Sequence, residues 1–169
     1  MKKAIIFGML LTLISVSCDE SEDDGPGTDP QKIGIVGEWY SSGDNVAVLL
    51  SYYFGVDSIY ADFNTDNTYL VESFADGAKT TYSGTFSQTK SGTGTIWNIT
   101  LNQSSPTALT SEGIFDISTT VEPYTMQYEV VQTEPSLGAT PPTATAGFGS
   151  SSSGAYGTTN IQHYIKIID

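Results

Sequence analysis

From Ile33 onward, apolar and polar residues alternate with period two in short runs rich in Thr, Val, Ile and aromatic residues. An extended chain places successive side chains on opposite faces, so this spacing predicts strands with one dry and one wet face. Such runs fall at 34–41, 57–63, 68–75, 79–88, 94–102, 111–120, 124–132 and 160–168. The segments Asn64-Thr65-Asp66-Asn67, Ala75-Asp76-Gly77 and Lys90-Ser91-Gly92-Thr93-Gly94 carry the turn residues that join hairpin strands. Sequential strands with short turns predict a meander, and closing it removes the unpaired edges of an open sheet. The expected fold is all-β, an antiparallel up-and-down β-barrel of about eight strands over residues 33–169.

Two stretches break the alternation. Within Asn45–Phe54, Val46, Leu49, Leu50 and Tyr53 recur at helical spacing, Asn45 fits an N-cap and Gly55 fits a stop. A short helix near residues 45–54 is expected over one mouth of the barrel, with Leu49, Leu50 and Tyr53 plugging or gating the opening. The second stretch, 135–159, contains no charged residue and is built from Gly, Ser, Thr, Ala and Pro around Leu137, Phe148 and Tyr156. A loop of this length is expected to be a mobile surface loop or a ligand-specific lid.

The N-terminus reads differently. Lys2 and Lys3 precede an uncharged, mostly apolar run from Ala4 to Val16, followed by Ser17 and Cys18. This is the layout of a secretory signal peptide, residues 1–17. A helix of about 13 residues covers roughly 20 Å, short of the roughly 30 Å hydrocarbon core of a bilayer. The Val16-Ser17-Cys18 end resembles the lipobox of bacterial lipoproteins, although Ser15 stands where Leu is commonest. That resemblance implies a lipid on Cys18 and a membrane anchor through two or more acyl chains. Asp19-Glu20-Ser21-Glu22-Asp23-Asp24 and the Gly/Pro-rich residues after it make 18–32 an expected disordered acidic tether. The acidic run is a solvated spacer, or it resembles the signal that sends Gram-negative lipoproteins to the outer face of the outer membrane.

Charge and chemistry narrow the function. The chain has no Arg, and its formal net charge is −13 at pH 7. A polyanionic partner needs cations to neutralise its phosphates, so nucleic acid is excluded as a partner. Cys18 is the only cysteine, which rules out an intramolecular disulfide. The single histidine, His163, alternates in phase with Ile161, Ile165 and Ile167 and is expected on an inward apolar face as a packing residue. With one histidine, no free thiol in the mature domain, no arginine and no Gly-x-Ser-x-Gly elbow, neither an enzyme nor a cofactor is expected. Asn64, Asp66 and Asn67 lack the loop spacing of a calcium site, and no metal is expected.

The aromatic inventory is 10 Tyr, 7 Phe and 2 Trp. If each strand turns its apolar phase inward, Phe63, Tyr69, Tyr82, Phe86, Trp97, Ile117, Tyr128 and His163 line one interior. An eight-stranded barrel is just wide enough to be filled by side chains or to hold one small ligand. Inward tyrosines point to a pocket with polar tips, because a buried hydroxyl needs a partner.

The run Ile35-Val36-Gly37-Glu38-Trp39-Tyr40, with the helix after it and the Phe63–Tyr69 hairpin, resembles the lipocalin-like domains of bacterial lipoproteins. The resemblance implies that Gly37 permits a tight approach and that Trp39 closes the base of the barrel. Lipocalins pack an Arg from near the C-terminus over that Trp; with no Arg here, Lys166 takes the role or the base is closed differently. The implied function is a surface-anchored lipoprotein binding a small apolar or amphipathic ligand in the barrel. The alternative is a non-enzymatic accessory module that contacts glycans or a partner outer-membrane protein. Nothing in the sequence speaks to oligomeric state.

Overall fold

In the computed structural model, residues 34–168 are described; the expected signal segment 1–17, Cys18 and the expected tether to residue 32 lie outside the described residues. The strands are β1 (Gly37–Ser42), β2 (Val56–Phe63), β3 (Thr68–Ala75), β4 (Ala78–Lys90), β5 (Trp97–Ser105), β6 (Leu109–Ser118), β7 (Thr125–Glu134) and β8 (Gln162–Lys166). They pair antiparallel in chain order and close into a barrel, with β8 returning to β1 through Trp39↔Lys166 and Tyr40↔Ile165. The all-β up-and-down barrel read from the alternation is the observed, lipocalin-like architecture. Strand ends differ from the predicted runs by a few residues, as expected where terminal turns and bulges blur the pattern.

The meander gives the barrel two ends. β1 starts at the base, where the 64–67 hairpin, the β4–β5 and β6–β7 connections and the end of β8 also lie. The mouth carries the helix, the β3–β4 turn, the β5–β6 turn and the long loop. In the β3–β4 turn Asp76 and Gly77 have φ of +49° and +76°, the left-handed pair whose twist matches that of the flanking strands.

The helix α1 (Val48–Phe54) starts later than its spacing predicts. Gly43–Asn45 form a 3₁₀ turn, so Asn45 does not cap the helix; Val46 follows in extended conformation and Ala47 takes the N-cap position, both buried. Ala47 N–H donates to Gln162 Oε1 at 2.8 Å, and Gln162 in turn donates to Ser41 Oγ inside the barrel. This pins the helix entry to β1 and β8. Gly55 (φ +63°) stops the helix as predicted, its N–H bonded to Ser51 O at 3.1 Å. Leu50 and Phe54 are the helix residues that border the cavity opening, although Phe54 is itself largely exposed. Tyr53, expected as a plug, is 70% exposed, and Leu49 faces a neighbouring groove.

The long neutral loop is held against the outside of β7. Glu129, between the inward Tyr128 and Val130, points outward and is nevertheless fully buried. Its carboxylate accepts hydrogen bonds from Gly149 N–H (2.6 Å), Ser151 N–H (3.1 Å) and the Ser151 hydroxyl. Ile114, its register partner on β6, is buried on the same face. Hydrogen bonds to a carboxylate are worth more than neutral ones, so one acidic residue fixes a segment that has no charge of its own.

Candidate functional site

The inward positions divide into a solid base and a hollow upper half. At the base, Trp39 is fully buried and donates Nε1–H to Ile35 O at 2.7 Å. Lys166 Nζ sits 4.5 Å from the Trp39 ring centroid and donates to Val36 O at 2.7 Å. A methyl group on Gly37, whose φ is +113°, would meet that Nζ at 2.0 Å, so the close approach requires glycine there. Lys166 thus occupies the cation position over the tryptophan. Burial lowers its pKa, against the opposing fields of Glu38 and Asp62.

Above Trp39, Phe63 and Phe86 meet edge to face at 5.2 Å, and Trp97 stacks on Phe115 at 5.8 Å. Ile117 and Met126 complete this packed layer. Of the residues read from the sequence as barrel lining, Phe63, Phe86, Trp97 and Ile117 do point inward, but they fill the base and leave no ligand space.

Tyr69, Tyr82 and Tyr128 line a cavity of about 570 Å³ in the mouth half, the size range of small-ligand pockets. Its walls are otherwise Val56, Ile59, Val71, Ala75, Leu101, Leu109 and Val130, with Leu50 and Phe54 of α1 at the opening. Ser73, Thr80, Gln103 and Ser111 add polar points, and no charged residue contributes to the wall. Tyr164 joins Tyr128 at the floor, their rings edge to face at 5.9 Å.

Burial pushes the Tyr69 phenol up to about 12 and those of Tyr128 and Tyr164 well above the ordinary tyrosine range. The fields of Tyr164 and Tyr69 raise Tyr128 further, so the three phenols converge. Among the described residues no group forms a hydrogen bond with the hydroxyls of Tyr69, Tyr82, Tyr128 or Tyr164. The cavity therefore presents hydroxyl groups on an otherwise apolar surface.

His163 is not part of this lining. The register Met126↔Tyr164 and Gln127↔His163 turns Gln162, Tyr164 and Lys166 inward and His163 outward beside the exposed Gln127. Of the isoleucines that set the predicted phase, Ile165 and Ile167 are exposed accordingly, while Ile161, just before β8, is buried. Inside the barrel, Gln162 is needed by Ser41 and by Ala47 N–H, and that polar demand overrides the apolar pattern. Tyr164 was missed for the same reason. Val71, Leu101 and Val130 share the phase of Tyr69, Trp97 and Tyr128 and were legible from period-two spacing alone.

Outside the cavity, a groove runs between α1 and the end of the long loop. Val48, Leu49, Tyr52 and Tyr53 form one side, and Leu137, Ala155 and Tyr156 the other. Tyr52, Tyr53 and Phe54 are 79%, 70% and 69% exposed, a patch of aromatic surface at the mouth. Among the described residues no cluster of three His, Cys, Asp or Glu could hold a metal ion.

Comparison of the chain with protein-family models, with curated proteins and with solved structures finds no match in any of the three.

Proposed function

We propose that this protein is a lipid-anchored, lipocalin-like binding protein that carries a small apolar or amphipathic ligand in the mouth half of its barrel. The observation that supports the reading best is the cavity itself: about 570 Å³, mostly apolar, uncharged, and tipped with phenol hydroxyls that no described residue engages. A ligand there gains from apolar burial and can accept hydrogen bonds from the phenols of Tyr69, Tyr128 and Tyr164, whose protons burial holds more tightly. Mass spectrometry of small molecules extracted from protein purified from its native host is expected to find a co-purifying apolar ligand. Calorimetry with that ligand should show uptake abolished when Tyr82 and Tyr128 are both replaced by Ala. Unchanged binding in the double variant would sink the reading.

In this reading the anchor is Cys18, and the acidic run after it supplies the outward address. Cys18→Ala should release the protein from membranes. Neutralising Asp19 to Asp24 should leave it anchored but shielded from external protease, and continued digestion on intact cells would remove the export role of the acidic run. The accessory-module reading draws support from the exposed aromatic helix, whose Tyr52 and Tyr53 could meet a glycan or a partner protein. An empty extract together with capture of oligosaccharide by the intact protein would favour it.

A further inference from the structure

We infer that the cavity and the groove beside α1 form one continuous site, which takes a neutral long-tailed amphiphile with its tail in the barrel and its uncharged polar head in the groove. This inference rests on the cavity being a ligand site. Continuity is carried by Leu50, Phe54 and Val130, which line both spaces. Leu50 and Phe54 lie one turn apart on α1 and form the sill between them. A ligand that outgrows the barrel therefore emerges under the helix and onto Tyr53, Leu137 and Tyr156.

The character of the head follows from charge. No Lys, Arg, His, Asp or Glu lines either space. A carboxylate, sulfate or phosphate head would lose hydration with no cation to receive it, on a protein whose formal net charge is −13. What the groove offers is neutral: the hydroxyls of Tyr53 and Tyr156 and the carboxamide oxygens of Gln132 and Asn160. The amide nitrogens of those two side chains are already bonded to Pro135 O and Val130 O. Hydroxylated heads such as a sugar or glycerol can exchange hydrogen bonds with all four groups.

The test uses the full chain carrying Cys18→Ala in solution, titrated below micelle concentration with n-alkyl glucosides, the matching alkyl sulfates and the matching alkanols. Affinity for the glucosides should rise about fourfold per methylene, equivalent to about 0.8 kcal/mol, until the cavity is full. The glucoside should bind about tenfold or more tightly than the sulfate of equal tail. Replacing Tyr53 and Tyr156 by Ala should weaken the glucoside about tenfold and leave the alkanol unchanged, the alkanol reporting that the barrel remains intact. A sulfate that binds as well as the glucoside, or a groove variant that leaves the glucoside untouched, overturns the inference while the cavity reading stands. Failure of every tail, alkanols included, overturns both.

Discussion

The two halves of this barrel are built by the same strands and the same alternation, yet one is solid and the other hollow. At the base the inward positions are Trp39, Phe63, Phe86, Trp97, Phe115, Ile117 and Met126, large side chains that meet across the axis. Toward the mouth the same strands supply Ser73, Ala75, Thr80, Gln103 and Ser111. A barrel of fixed strand number has a nearly fixed bore, so the size of the inward side chain decides whether the bore is filled. Stability and binding are thereby assigned to different ends, and substitutions should sort by end.

The largest expected effect is at the base. Trp39→Ala removes a fully buried ring together with its hydrogen bond to Ile35 O, and should cost about 3–5 kcal/mol in urea unfolding. A loss below about 1 kcal/mol would mean that the base is not the stabilising half. Next comes the outer wall. Glu129→Ala leaves the Gly149 and Ser151 amides without their acceptor and should cost about 2–3 kcal/mol, with hydrogen exchange quickening first in the 147–151 segment. If exchange quickens equally throughout, the loop and barrel unfold as one unit.

Lys166→Met should cost about 1–2 kcal/mol, since it removes the cation over Trp39 and the bond to Val36 O but retains much of the packing. Lys166→Arg should recover part of this in the same unfolding assay. At the mouth, Ala75→Trp should fill cavity space, shift stability by less than about 1 kcal/mol and abolish ligand uptake. A large stability loss there would erase the distinction between the two ends.

Alkaline pH offers a gentler probe. A phenol whose folded pKa exceeds its unfolded value of about 10 keeps its proton longer in the folded state. The stability linked to it is complete below pH 10 and falls as pH rises through the folded value, which for Tyr69 is about 12. Tyr128 and Tyr164 shift in the same direction, so Tyr128→Phe should flatten the loss of stability above pH 10 in a chemical-denaturation series.

Much of this plan can be read from the chain. Period-two runs mark every strand, turn residues mark three of the hairpins, and the resemblance carried by Gly37-x-Trp39 points to the base. The inward phase of β2 to β7 follows from apolar alternation, as Tyr69, Val71, Leu101 and Tyr128 show. β8 was misread because Ile161, His163, Ile165 and Ile167 form the more apolar phase, while Gln162, Tyr164 and Lys166 are the residues the interior uses. Short strands near closure are governed by what their neighbours demand, a polar partner for Ser41 and Ala47 and a cation for Trp39.

The sequence by itself determined the strand count and the antiparallel order, because these depend on local periodicity and turn residues, while the tryptophan base was implied by the family resemblance. Only the tertiary structure decided where the cavity begins, how α1 is turned above it, and that the neutral loop binds Glu129 on the outer wall. Those features arise from contacts between residues far apart in the chain, and the sizes and hydrogen-bonding needs of such partners carry no signal in any local pattern.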